Sequence, residues 1–142
     1  MSVFADTSSL YAAMVRSEPR HRECLALFEE LLERGRALHT TNYVVLETLA
    51  LLQHRIGIDP VRDFNERILP LIIVNWVSSD LHGKGMRRLL REDKRTLSLT
   101  DCVSFEFMES EGLRDAFALD GHFADAGFRL LSRPVSRNCD QP

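Results

Sequence analysis

The chain has 142 residues, 44% of them hydrophobic and 27% charged, with a formal net charge of −3. This is the size and balance of one globular domain able to bury a core. It excludes a helical membrane span, because no run approaches ~20 apolar residues. The N-terminus MSVFADTSSL lacks the basic and apolar regions of a signal peptide, so the expected compartment is the cytoplasm. Cys24, Cys102 and Cys139 are odd in number and form no C-x-x-C pair, which disfavours a disulfide framework or a zinc site.

In chain order, Val3 to Ala5 reads as a short buried strand, and Thr7, Ser8 and Ser9 offer caps for a helix carrying Leu10, Tyr11, Met14 and Val15. After Pro19, apolar residues from Cys24 to Leu32 recur at helical spacing up to Gly35. Ala37 to Thr40 is a strand. Thr41 or Asn42 caps a third helix running to Ile56, and a short helix follows over Val61 to Ile68. Leu71 to Val77 is rich in β-branched residues and reads as a strand, with Trp76 expected in the core like Phe64. Helix resumes over Asp80 to Glu92, and Thr100 is the expected cap of a helix over Asp101 to Ser110. A strand at Ala116 to Leu119, a helix or turn at Gly121 to Ala126 and a strand at Phe128 to Leu131 complete the pattern. Residues 1–135 are read as one domain and 136–142 as a polar tail. Short apolar strands alternating with helices indicate an α/β fold with a mostly parallel central sheet.

Four acids interrupt this pattern. Asp6 follows the first strand, Glu47 sits within the apolar stretch Tyr43 to Leu52, Asp101 opens a helix, and Asp120 follows the strand Ala116 to Leu119. Asp6 alone could be a helix cap, Asp101 an acid favoured by a helix dipole worth roughly 0.3–1 kcal/mol, and Asp120 part of an Asp-Gly turn. Glu47 resists such an account, because Val44 and Leu51 share its stripe of the helix. In parallel sheets ligands collect beyond the carboxyl ends of the strands, where Asp6 and Asp120 would both lie. Four acids gathered there repel one another unless a shared cation compensates them. The five histidines show no H-E-x-x-H spacing, so oxygen ligands and a hard divalent cation such as Mg2+ are the expected chemistry.

The segments Val3-Phe4-Ala5-Asp6-Thr7-Ser8, Asn42 to Thr48, Leu97 to Phe105 and Ala118 to Phe123 resemble, in order, the four acidic motifs of PIN domains. The similarity runs from Met1 to about Leu131 and is strongest to VapC-type toxins of bacterial toxin–antitoxin pairs. It implies a PIN-like three-layer sandwich and a magnesium- or manganese-dependent endoribonuclease. Asp6, Glu47, Asp101 and Asp120 would be its catalytic and metal-binding acids, with Thr7 and Ser98 as supporting hydroxyls. Asp125 could share or replace the role of Asp120. The resemblance further implies an RNA substrate, a homodimer and a small inhibitory antitoxin protein.

The 18 basic residues comprise 16 Arg and only 2 Lys, and arginine suits bidentate phosphate contacts. Lys84, Arg87, Arg88, Arg91, Lys94 and Arg95 form a cluster. Positions 84, 87/88, 91 and 95 share one helical face if the helix extends that far, a surface able to guide RNA phosphates. His122 is read as a turn or packing residue, because metal-activated water needs no imidazole base. The Cys24 to Leu32 stripe is read as core or dimer face. Two other functions stay open. One is a different acid-pocket phosphohydrolase, which the missing second Asp of a D-x-D-x-T motif disfavours. The other is a catalytically idle binding module.

Overall fold

β1 (Ser2–Ala5) lies at the centre of a five-stranded sheet because both of its faces are apolar. Val3, Phe4 and Ala5 are fully buried. In this computed structural model, which describes residues 1–131, β1 is flanked by β2 (Ala37–Thr41) and β4 (Asp115–Phe117). The edges are β3 (Ile73–Asn75) and β5 (Arg129–Leu130), giving the order β3-β2-β1-β4-β5 with every pairing parallel. Strand order reverses beside β1, the switch point at which doubly wound sheets open a crevice.

Register sets the levels of the strand ends. Ala5 pairs with Phe117 and Phe4 with His39, so Asp6 stands level with Thr41. Side chains alternate across the sheet. Phe4 packs on one face against Phe107 and Phe123, with ring centroids 5.9 and 6.1 Å away. On the other face Phe117 meets Phe28, 6.1 Å away. The first face is covered by α6 (Leu99–Glu111) and α7 (His122–Asp125), the second by α2 (His21–Glu33). This is the three-layer sandwich expected from the sequence. The Cys24–Leu32 stripe supplies Cys24, Leu27, Phe28 and Leu31 to the core.

α1 (Thr7–Met14) begins directly after Asp6, and α3 (Asn42–Arg55) directly after β2. α4 (Ile58–Asp63) continues through a wide turn at Phe64–Ile68 and a tight one at Leu69–Leu71 into β3. The strand expected at 71–77 is thus reduced to three residues. Trp76 lies beyond it and is 80% exposed, against the expectation of core packing, whereas Phe64 is fully buried.

α5 (Ser79–Glu92) packs closely on α6. A Cβ on Gly85 would lie 2.5 Å from Val103 Cγ2, so only glycine permits this approach. α5 ends at Asp93 in the left-handed conformation (φ 50°), which leaves Lys94 and Arg95 outside the helix.

The cap of α6 is Ser98, not Thr100. Ser98 Oγ accepts from the Asp101 amide at 3.0 Å, and Asp101 Oδ2 accepts from the Ser98 amide at 3.1 Å. This reciprocal capping box satisfies two amides that the helix would otherwise leave open. β4 ends at Phe117 rather than Leu119, so Asp120 follows the strand after two further residues. The boundary at 135, the 136–142 tail and Cys139 lie outside the described residues. Cys24 and Cys102 are buried free thiols.

Candidate metal centre

Asp6 is 3% exposed at the end of β1. Its backbone N–H donates to Phe117 O at 3.0 Å, extending the β1–β4 pairing by one bond. As the N-cap of α1 it accepts from the Ser8 amide at 3.2 Å and the Ser8 hydroxyl at 2.7 Å, both on Oδ2. Oδ1 is buried with no hydrogen-bond partner. Burial pushes this carboxyl up to about 7. The Ser8 bonds oppose that shift, while the charges of Asp101 and Glu47 add to it.

Glu47 projects from α3 beside an inner stripe of Val44, Thr48 and Leu52, all fully buried. The neighbouring Leu46 is 69% exposed and Glu47 is half-buried, so Glu47 stands at the border between the core face and solvent. Thr7 Oγ1 lies 3.3 Å from Val44 O and 3.0 Å from Thr48 Oγ1. Its hydroxyl therefore fastens α1 to the turn of α3 that carries Glu47. Burial raises the Glu47 carboxyl above its ordinary range. The Thr7 and Thr100 hydroxyls counter this, and Asp101 and Asp120 reinforce it.

α6 leads down into β4, so its N-terminus comes up to the carboxyl edge of the sheet. That places Asp101, 7% exposed, beside the acids from β1 and α3. Its carboxyl is also raised, first by burial and then by the Asp120 charge, against the bonds from Ser98. Asp120 Oδ1 accepts from the His122 amide at 2.9 Å. One carboxylate oxygen each from Asp101 and Asp120 and one nitrogen of His122 lie within 4.8 Å of one another.

The four acids expected from sequence thus share one edge and one electrostatic field. None of them pairs with a Lys or Arg among the described residues. Asp115, at the opposite end of the same sheet, shows the contrast. Arg129 reaches it at 2.8 and 2.9 Å and Arg36 at 2.8 Å. Arg129 first, and Arg36 with it, hold its carboxyl below the usual range. A buried acid with an uncommitted oxygen, beside further acids without cationic partners, fits a hard divalent cation held by oxygen.

One reading changes. His122, taken from sequence as a turn or packing residue, stands in the acid group. Its Nδ1 is buried without a hydrogen bond and lies 3.4 Å from Asp120 Oδ1. The Asp120-x-His122 spacing on a tight turn was the signal available. Ser8, which orients Asp6, was legible as the second residue after a capping Asp. Ser98 acts on the site through the cap that fixes Asp101. Asp125 is exposed on α7 and lies outside the compact group of Asp101, Asp120 and His122, as Asp6 and Glu47 also do; those two are joined to the group by the charge of Asp101.

The basic cluster divides. Lys84, Arg87 and Arg91 are exposed on α5, with Lys84 3.5 Å from Asp80. Arg88 is buried, contrary to its expected place on an RNA-facing surface. It bonds Glu109 at 2.9 Å, lies 3.6 Å from Glu106, and sits 5.0 Å over the Phe105 ring.

Residues 3–129 match the PIN domain. The 23S rRNA-specific endonuclease VapC20 of Mycobacterium tuberculosis is 32% identical over 127 residues, covering 89% of this chain and 95% of that protein. The crystal structure of that organism's VapC20, described as a sarcin–ricin loop cleaving toxin, superposes with a TM-score of 0.81 at 30% identity. It covers 92% of this chain and 99% of the other. FitAcB from Neisseria gonorrhoeae shares the fold, with a TM-score of 0.64 at 15% identity over 92% of this chain and 96% of that one.

Proposed function

Because this chain belongs to the PIN-domain family and is similar to a VapC-type toxin nuclease over nearly its whole length, we propose that it is a divalent-cation-dependent endoribonuclease acting as the toxin of a toxin–antitoxin pair. The observation that carries this is the four-acid edge: Asp6, Glu47, Asp101 and Asp120 converge without a lysine or arginine partner among the described residues, and Asp6 keeps an oxygen free.

Asp6, Asp101 and Asp120 would hold Mg2+ or Mn2+, with Glu47 nearby on α3 and His122 beside Asp120. When bound, such a cation makes water a better nucleophile at neutral pH and offsets charge on the leaving oxygen of a phosphodiester. Ser8 holds Asp6 Oδ2, which leaves Oδ1 uncommitted. Ser98 fixes Asp101 through the α6 cap, and Thr7 ties Glu47's helix turn to α1. Glu47, whose carboxyl is raised above its ordinary range by burial and by its acidic neighbours, can accept or return a proton at the attacking water. Lys84, Arg87 and Arg91 line an exposed strip of α5 that draws RNA phosphates toward this edge.

The similarity to VapC20 supports ribosomal RNA as the substrate class and a small protein antitoxin as the inhibitor. A homodimer and a cytoplasmic setting belong to the same reading. The test is digestion of purified 23S rRNA and of intact ribosomes with Mg2+ or Mn2+, with EDTA, and with Asp6→Ala. Discrete cuts that vanish in EDTA and in the variant are expected. Cutting that persists in both removes the mechanism.

A further inference from the structure

We propose that the cavity behind His122 holds one unstacked nucleobase of the RNA, guanine in preference to the others, next to the bond being cut. The proposal rests on the ribonuclease reading above. The cavity is about 260 Å3, just below the usual range of ligand pockets and suited to one ring system rather than a stretch of strand. It adjoins the acids through a single side chain. His122 Nδ1 lies 3.4 Å from Asp120 Oδ1, and its Nε2 lies 3.4 Å from the hydroxyl of Thr96 on the cavity wall. A group seated there is one imidazole ring away from the acid edge.

The lining selects among RNA groups. Leu97 and Phe105 are buried and Ala126 is partly buried, which gives an apolar floor. Two cations reach the cavity, and each has a carboxylate beside it. Arg88 is bonded to Glu109, with Glu106 and the Phe105 ring on its other contacts. Lys94 lies 3.8 Å from Glu92. With Glu92 and Asp125 on the same wall as Arg88 and Lys94, the lining carries no net positive charge to hold a phosphate. Asp125, exposed on α7, has no ion pair and no side-chain hydrogen bond among the described residues. An ionised carboxylate only accepts, so the wall asks for a ligand rich in N–H donors.

Guanine carries N1–H and an N2 amino group side by side on its Watson–Crick edge, matching the two oxygens of one carboxylate. Adenine and cytosine offer one amino group there, and uracil one imide N–H. Reading a splayed base on that edge is the ordinary means of sequence recognition in RNA loops, where unstacking costs least.

The test measures binding without cutting. Asp6→Asn keeps a capping side chain on α1 and removes one carboxylate of the acid group. In this background, affinity is compared for a short oligouridine RNA with one central guanine, its inosine counterpart lacking the N2 amino group, and oligouridine alone. Guanine is expected to bind about tenfold tighter than inosine. Adding Asp125→Asn should erase that difference. Thr96→Trp, a change at an exposed loop position, should fill the cavity and bring the guanine RNA down to the oligouridine level. Equal affinity for guanine and inosine, or discrimination that survives Asp125→Asn, overturns the proposal. The nuclease reading is judged separately, by metal-dependent cutting with the unaltered chain.

Discussion

Ser8 and Leu119, 111 positions apart, meet in a 2.9 Å hydrogen bond in which the Leu119 amide donates to Ser8 Oγ. Because an amide only donates, the hydroxyl hydrogen of Ser8 is left for Asp6 Oδ2, 2.7 Å away. The segment leading to Asp120 thereby sets the orientation of the acid on β1, and the free oxygen of Asp6 follows from that relay.

Ser8→Ala should therefore weaken cation binding without removing a ligand. Partners that orient metal ligands typically account for ~10–100-fold in affinity. The measurement is a titration of thermal stabilisation by Mn2+, whose midpoint should move to higher concentration by that factor. An unmoved midpoint would show that Asp6 is oriented by other contacts.

Stability without metal should fall as pH rises. Burial raises Asp6 to about 7 and lifts Glu47 and Asp101 in the same direction. The folded state thus holds more protons than the unfolded chain above the ordinary carboxyl range of ~4. The stability these groups contribute is complete below that range and is lost as pH climbs through about 7. Asp115 has the opposite sign, but its effect is confined to more acid solution. Urea midpoints in EDTA across this window should decline, and Asp6→Asn or saturating Mn2+ should flatten the decline. A rising profile in EDTA contradicts the assigned shifts.

Neighbouring arginines should separate by function. Arg88→Ala strands Glu109 and Glu106 and should destabilise by about 2–3 kcal/mol. That is less than the 3–5 of a fully buried pair, because Glu109 is half exposed and can rehydrate. Charge reversal at Arg87 and Arg91 should leave stability nearly unchanged. It should weaken RNA binding uniformly and lower the salt-dependence slope by roughly 2. Equal stability losses at all three positions would remove α5 as the RNA-facing strip.

Gly85→Ala should destabilise by ~1–3 kcal/mol, the usual effect of overpacking, because its Cβ would meet Val103 Cγ2 at 2.5 Å. Val103→Ala in the same chain should recover part of the loss. Chemical denaturation of the two variants and the double variant measures the coupling, and strict additivity would contradict direct contact.

Much of the site was legible in the chain because its acids occupy places that local rules define. Asp6 ends an apolar run, and Glu47 breaks an apolar helix. Ser98-x-x-Asp101 is a capping box, although Thr100 was the expected cap. Where neighbours far along the chain decide the outcome, local pattern fell short. Trp76 looks like core by hydropathy, yet β3 stops one residue earlier at the sheet edge and leaves it exposed. Arg87 and Arg88 are indistinguishable until Glu106 and Glu109 approach from α6.

The sequence by itself determined the alternation of strands and helices, the parallel sheet and the four acids as candidates for one site. These depend on periodicity and on charge placed against apolar surroundings, both local properties. Only the tertiary structure decided which carboxylates stay without a basic partner and which basic residues are already compensated. It alone placed His122 between the acids and a cavity. Burial and the field of distant charges set those outcomes, and both arise only when the strands pair in register.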